Sequence, residues 1–161
     1  MADLSLIRAA IAARLAAVPQ IGRVHDRERY AATEPALRAL YAWQDGPGTP
    51  AIRGWFVRRT ASHGRGPDLG RRVLTHSWAI RGLMSFDDAQ ASEHAFDALI
   101  EAVRGAVLAD DSFGGTALGT VHGPDGAEFG AGAQLVESGP VMFAGLLCHG
   151  ATLTLHTRHL G

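Results

Sequence analysis

Residues 71–107 read RRVLTHSWAIRGLMSFDDAQASEHAFDALIEAVRGAV and change from a strand period to a helical period. In Arg71–Met84 the alternate positions carry mostly large or apolar side chains, which is the spacing that one face of a strand presents. This stretch therefore predicts a β-strand whose buried face carries Leu74, His76, Trp78, Ile80 and Met84.

The second part of the stretch predicts an amphipathic helix. Ser85 and Asp88 stand at capping-box spacing, which predicts where the helix begins. One apolar stripe then consists of Ala95, Phe96, Leu99, Ile100, Val103 and Val107, and the opposite face carries Glu93, His94, Asp97, Glu101 and Arg104.

Upstream, the chain predicts two further strands. Ala51–Thr60 has strand composition, and the glycine-rich linker Ala61–Gly70 joins it to Arg71–Met84, which indicates an antiparallel hairpin with a long loop. Gly22–Tyr30 (GRVHDRERY) reads as a strand with one strongly polar face, suited to an edge or a solvated surface.

The remaining segments complete an α+β pattern. Leu4, Ile7, Ile11, Leu15 and Val18 predict a first helix with Asp3 as its N-cap. Further elements are a short helix at Glu34–Trp43, a loop at Asp45–Pro50, strands at Thr116–His122, Gln134–Glu137 and Val141–His156, and a turn segment at Gly123–Gly132. We expect one domain, residues 1–161, with a single antiparallel β-sheet and two main helices packed on one face.

Composition argues against a membrane or nucleic-acid role for the chain as a whole. The formal net charge is -1, and all 15 basic residues are arginine because lysine is absent. Ser138–Thr157 carries no formal charge and is long enough to span a bilayer, but its glycines, Pro140 and strand-like alternation indicate buried sheet. We therefore expect no membrane partner.

No pattern for catalysis is found in the sequence. A P-loop needs a lysine, a metalloprotease helix needs HExxH and a nucleophile elbow needs GxSxG, and all three are missing. Cys148, the single cysteine, stands in an apolar run and is interpreted as a small core residue. His156 and His159 are three apart, a spacing that does not direct both at one metal ion. We therefore predict no catalytic residue, cofactor or metal.

Arginine clusters beside the predicted hairpin suggest either a solvated end or a contact surface. The planar guanidinium favours carboxylates and phosphates, so a surface of this kind suits a protein partner or passing DNA. Trp43 precedes a polar loop and is the tryptophan expected to face a partner. The candidate interface residues are Arg27, Arg29, Trp43, Arg58, Arg59, Arg65, Arg71 and Arg72.

Three segments in combination resemble the tail terminator, or tail completion, proteins of long-tailed (siphovirus-like) bacteriophages and prophages. They are IRAAIAARLAAV followed by IGRVHDRERY, THSWAIRGLMSFDDAQASEHAFDALIEAVRGAV, and PVMFAGLLCHGATLTL. The resemblance implies a structural protein and not an enzyme. It implies a homo-oligomeric ring, usually a hexamer, that binds the end of the tail tube protein, stops polymerisation and presents a surface to the head connector. It also implies assembly in the host cytoplasm, a place at the head-proximal end of the tail in the virion, and passive passage of DNA.

Two other interpretations stay open. The first is a neck, head-completion or other minor tail protein, since these share small α+β architectures. The second is a small histidine-using enzyme or ligand-binding domain, because His76 and His149 each lie in an apolar strand and are able to meet across the sheet.

Overall fold

The computed structural model describes residues 3–44, 51–68, 70–122, 128–129 and 132–161, and it confirms the α+β class. Its helices are α1 (Leu4–Ala16), α2 (Glu34–Tyr41) and α3 (Ser92–Ala109), with a 3-10 turn at Asp88–Gln90 before α3. Its strands are β1 (Arg23–His25), β2 (Ala42–Trp43), β3 (Ala51–Asp68), β4 (Arg71–Ser85), β5 (Gly119–His122), β6 (Glu128–Phe129), β7 (Gln134–Phe143) and β8 (Leu146–Leu160).

The strands form one sheet in the order β1-β3-β4-β8-β5-β6, with β2 against the start of β3 and β7 beside the first half of β8. The β1–β3 pair is parallel, whereas the other pairs are antiparallel. The sheet is therefore mostly antiparallel, whereas the prediction was a wholly antiparallel sheet. The parallel pair arises because the chain crosses back through α2 between these two strands, and such a crossover returns a strand in the same direction.

Helices α1 and α3 pack on the same face of the sheet, which confirms the predicted layer arrangement. Asp3 caps α1, accepting a hydrogen bond from the backbone N–H of Ser5 at 3.1 Å. The core between helices and sheet has fully buried side chains from both layers, among them Ile7, Ile11, Trp55, Trp78, Ile100, Val107, Leu153 and Leu155.

Helix α2 packs on the opposite face and covers only one end of the sheet. Thr33 caps this helix, and a second apolar cluster beneath it consists of Tyr41, Ile52, Phe56, Leu83 and Cys148. The predicted helix Glu34–Trp43 ends two residues early, because Ala42 and Trp43 turn extended and pair with Ile52 and Ala51.

The predicted loop Ala61–Gly70 is wrong in its described part, because β3 continues to Asp68 and β4 begins at Arg71. Ala61 pairs with Ser77 and Arg65 pairs with Val73, so the ladder meets the backbone hydrogen-bonding needs of this segment despite its glycines. The glycine-rich segment that suggested a loop is the end of a long strand, whose pairing with β4 shifts register at two points.

The predicted strand Gly22–Tyr30 is also wrong in length, since only Arg23–His25 pairs with β3. The chain then bends at Asp26 and Arg27, whose side chains form an exposed ion pair of 2.9 Å. Beyond the bend, the backbone N–H of Arg29 donates to the Tyr41 hydroxyl at 3.3 Å. This N–H is therefore satisfied by a side chain and not by the carbonyl of a neighbouring strand.

The predicted capping box at Ser85 and Asp88 does not start α3. Ser85 belongs to β4, pairs with Cys148 and donates its hydroxyl to the carbonyl of Ile52 at 3.4 Å. The helix begins at Ser92 after Ala91, which has a left-handed φ of 51°. The buried stripe holds as predicted except for Ala95, which lies at the edge of the stripe and is exposed.

The predicted strand Val141–His156 contains a hairpin turn. Ala144 and Gly145 have φ values of 48° and 77°, so β7 ends at Phe143 and β8 begins at Leu146. Two central residues with positive φ are the signature of a tight two-residue hairpin, and alanine at the first position gave no sequence signal for it. The predicted loop Asp45–Pro50 and most of Gly123–Gly132 lie outside the described residues.

Candidate assembly surface

His76 and His149 do not come together as the enzyme interpretation requires. His149 pairs with Met84 in the β4–β8 ladder, well away from His76, so these two histidines do not meet across the sheet. His76 instead stacks on His159, with ring centroids 4.7 Å apart. His156 and His159 lie on opposite faces of β8. Among the described residues, no group of three histidine, cysteine or acidic side chains is arranged to hold a metal ion.

The His76 imidazole is buried and stays neutral at ordinary pH. Its Nδ1 is hydrogen-bonded to the Ser62 hydroxyl at 2.6 Å, and its Nε2 has no protein partner among the described residues. Burial first, and then the neighbouring His159 and Arg59, lower the pKa of His76 to about 4. A proton added to this ring would have no acceptor, which is costly inside a protein.

Folding stability should therefore fall as the medium is acidified. In the unfolded chain His76 binds a proton below its pKa of about 6.5. In the folded protein the same imidazole binds a proton only when the pH falls to about 4. Between about pH 7 and about pH 4.5 we expect the free energy of unfolding to drop by on the order of 2 kcal/mol from this group. Urea denaturation of wild type and His76→Gln at both pH values measures it. An equal drop in the two proteins would contradict the assignment.

The Cys148 thiol confirms the core interpretation. It is fully buried in the cluster under α2, and burial raises its pKa to about 11. The thiolate is the reactive form, so a buried thiol with a raised pKa is unreactive.

We expect Cys148 to resist a water-soluble thiol reagent in the native protein and to react fully in denaturant. The ratio of the two labelling rates should exceed about a hundredfold, because native labelling requires opening of the cluster. Absorbance of the released thiolate follows the reaction. A native rate close to that of the unfolded chain would show that the cluster under α2 is not closed.

The arginines predicted beside the hairpin are divided between the two faces of the sheet. Arg58 pairs with Ala79 and Arg65 with Val73, which places both on the face away from α1 and α3. Arg59 pairs with Trp78 and so belongs to the helix-covered face. All three are exposed. Arg58 forms an ion pair of 2.9 Å with Glu28, which lies outside the predicted interface residues.

The other candidates are scattered. Arg27 is exposed and ion-paired with Asp26, and Arg29 is half-buried. Trp43 is half-buried, and the Arg53 guanidinium lies 4.4 Å from its ring centroid. Arg72 is exposed near the end of the hairpin, and only the backbone of Arg71 is described. The seven predicted residues whose side chains the structure describes therefore form no single patch.

A cluster of exposed apolar side chains lies outside the predicted contact residues. Met142, Leu146 and Leu147, the apolar tip, surround the turn of the β7–β8 hairpin with exposed fractions of 64%, 40% and 52%. Arg38 of α2 donates to the carbonyl of Ala144 at 2.8 Å, which holds the turn in place. In the sequence this surface corresponds to the run PVMFAGLLC. The run resembles buried sheet because alanine at the first turn position does not indicate a hairpin.

The same hairpin leaves a strand edge open. Within the described chain, β7 pairs with β8 alone, and Leu135 and Val136 are exposed on it. An edge strand with apolar side chains is a site where another chain pairs or packs. Glu137 and Pro140 limit strand pairing in the middle of β7, but the apolar tip carries neither a charge nor a proline.

Comparison of the sequence with models of known protein families and with curated proteins finds no match. Among the residues that the structure describes, none of the helices combines the length and hydrophobicity that crossing a bilayer requires.

Proposed function

We propose that this chain is a tail terminator subunit of a long-tailed bacteriophage. It forms a ring, usually a hexamer, that caps the completed tail tube, stops its polymerisation and joins it to the head connector, while DNA passes through passively. The proposal rests on the resemblance of three sequence segments, and the observation that carries it in three dimensions is the apolar tip of the β7–β8 hairpin.

The apolar tip suits a protein that works in contact with a partner. A free subunit would expose Met142 and Leu147 side by side, since these residues pair directly across the hairpin. Apolar area removed from water contributes roughly 25 cal/mol per Å², so covering this surface favours association. The Arg38 hydrogen bond fixes the turn beforehand, which lowers the entropy lost on binding.

We assign the apolar tip to the contact with the tail tube. A capping subunit needs one surface that matches the tube and others that match its own copies. The tip is compact, projects at one end of the sheet and differs in chemistry from the charged surfaces elsewhere on the subunit. An apolar contact of this kind keeps its strength at the high salt that weakens charged contacts.

The test is tube growth in the presence of the purified chain. Tail tube protein from the same phage genome is polymerised with wild type, Met142→Lys or Leu6→Lys, and tube lengths are measured by electron microscopy. Leu6 lies on α1 and is 55% exposed, so Leu6→Lys is a matched control for adding a charge to exposed apolar surface. We expect wild type and Leu6→Lys to give short, capped tubes, and Met142→Lys to give long, uncapped ones.

Two results would overturn the proposal. Tubes of unlimited length with wild type would show that the chain does not terminate them, and binding to a head connector without tube binding would identify a neck or head-completion protein. If Met142→Lys caps as well as wild type, the assignment of the apolar tip to the tube is wrong, whereas the terminator function stands.

A further inference from the structure

One face of the sheet is left without a helix over much of its area. In the described chain, α1 and α3 cover one face and α2 covers only one end of the other. The register places four arginines on this open face: Arg58 opposite Ala79, Arg65 opposite Val73, Arg81 opposite Thr152, and Arg158 opposite Thr75. We call these four residues the arginine face.

The arginine face is cationic although the whole chain is nearly neutral. Among the side chains that the structure describes, Glu28 pairs with Arg58 and Glu137 lies beside Arg81, so these two carboxylates are fewer than the four arginines. The Arg58–Glu28 pair is exposed, and exposed pairs contribute little and exchange readily. The Arg81 guanidinium donates to the Thr152 hydroxyl at 3.1 Å, which holds one cation in a fixed position on the sheet.

An acidic surface lies on the other side of the subunit. Glu93, Asp97 and Glu101 recur every four residues along the exposed side of α3, where Glu101 forms an exposed ion pair of 2.9 Å with Arg104, and Asp87 and Asp88 precede the helix. We call these five acidic residues the acidic face. Beside it, Ala95, Ala98 and Ala102 are small and exposed, and the space next to Gly105 is open. A flat sheet is able to approach a helix closely along such small side chains.

Resting on the proposed function, we infer that the arginine face of one copy packs against the acidic face of the next copy around the ring. The two faces lie on opposite sides of a two-layer subunit, so the contact is head-to-tail, and contacts of this type form a ring when the rotation between successive copies closes. Opposite charges on separate faces fix the orientation of neighbours and reject the like-charged alternatives. The arginine fork also matches a carboxylate partner in geometry.

Charge reversal on each face tests the contact. The sheet-reversed variant is Arg58→Glu with Arg65→Glu, and the helix-reversed variant is Glu93→Arg with Asp97→Arg. Self-association is measured by sedimentation velocity, alone and with tail tube protein. We expect each variant to weaken self-association by about tenfold or more, since like charges then face each other. We expect the chain carrying all four changes, and an equimolar mixture of the two variants, to regain association, because every contact again joins opposite charges.

The control is Arg59→Glu with Arg72→Glu, which alters net charge as much as the sheet-reversed variant. Arg59 lies opposite Trp78 on the helix-covered face, and both arginines are exposed. Thermal unfolding checks that each variant is folded. Should the sheet-reversed variant unfold, Arg65→Glu alone replaces it, because Arg65 is exposed near the end of β3.

Several outcomes would overturn the inference: single reversals without effect, a four-change chain as defective as either parent, an equally disruptive control, or no self-association of wild type in either condition. Loss of duplex DNA binding in the sheet-reversed variant, with self-association intact, would assign the arginine face to nucleic acid instead. Restored association combined with uncapped tubes would preserve the contact and reject the terminator function.

Discussion

Replacing Leu153 by alanine is expected to lower the free energy of unfolding by about 2–5 kcal/mol. Leu153 lies in the middle of β8, is fully buried, and packs in the core between the sheet and the two large helices. Its strand neighbours, Ile80 on β4 and Leu135 on β7, hold the backbone from both sides, so the sheet cannot collapse into the space that the substitution leaves. The loss in unfolding free energy therefore has two parts: the hydrophobic free energy of the removed side-chain atoms and the cost of the cavity that remains.

Urea denaturation followed by circular dichroism measures this loss, and Leu147→Ala is its matched control. Leu147 is on the same strand but about half exposed at the apolar tip, so its truncation should change stability by less than about 1 kcal/mol. Equal losses at the two positions would contradict the placement of the core.

Replacing Gly82 by alanine is expected to cost about 2–3 kcal/mol, although alanine suits a strand better than glycine does. A Cβ at Gly82 would lie 2.5–2.7 Å from three ring atoms of Trp55, its partner on β3. Trp55 is fully buried and lies against Phe96 of α3, so its ring has no free space to move into. The added methyl group must therefore displace β4 or the tryptophan.

The matched control for this position is Gly139→Ala on β7, where an added Cβ meets nothing within 4 Å. The backbone at this position accepts alanine, and alanine lowers the conformational entropy of the unfolded chain. We therefore expect the free energy of unfolding to be unchanged or slightly higher. Both variants are compared with wild type by thermal unfolding at one pH. A loss at Gly139 as large as that at Gly82 would show that strand conformation, and not contact with Trp55, accounts for the effect.

The surfaces of the subunit follow from the way its layers are built. Two helices on one face leave α3 with an exposed acidic side, and α2 is too short to cover the opposite sheet face. The resulting subunit has a charged sheet face, an oppositely charged helix face and an apolar hairpin tip. Under the proposed function, three surfaces of different chemistry would give the chain separate means to recognise its own copies and a different partner.

The sequence by itself determined the elements whose residues bury one face along a regular period. The α1 stripe from Ile7 to Leu15, the alternation along β4 and the α3 stripe from Phe96 to Val107 all pack as their spacing predicts. These patterns are readable because a side chain's direction repeats every 3.6 residues in a helix and every two in a strand. Cys148 as a core residue followed from its apolar neighbours in the same way.

Only the tertiary structure decided the positions that depend on distant partners. The segment Ala61–Arg65 becomes strand because β4 supplies its hydrogen-bond partners, and the turn at Ala144 is held by Arg38, far away in the sequence. Which face each arginine occupies depends on strand register, and a shift of one residue would exchange the two faces. A local pattern contains no information about register, so the arginine face and the apolar tip became visible only when the strands were paired.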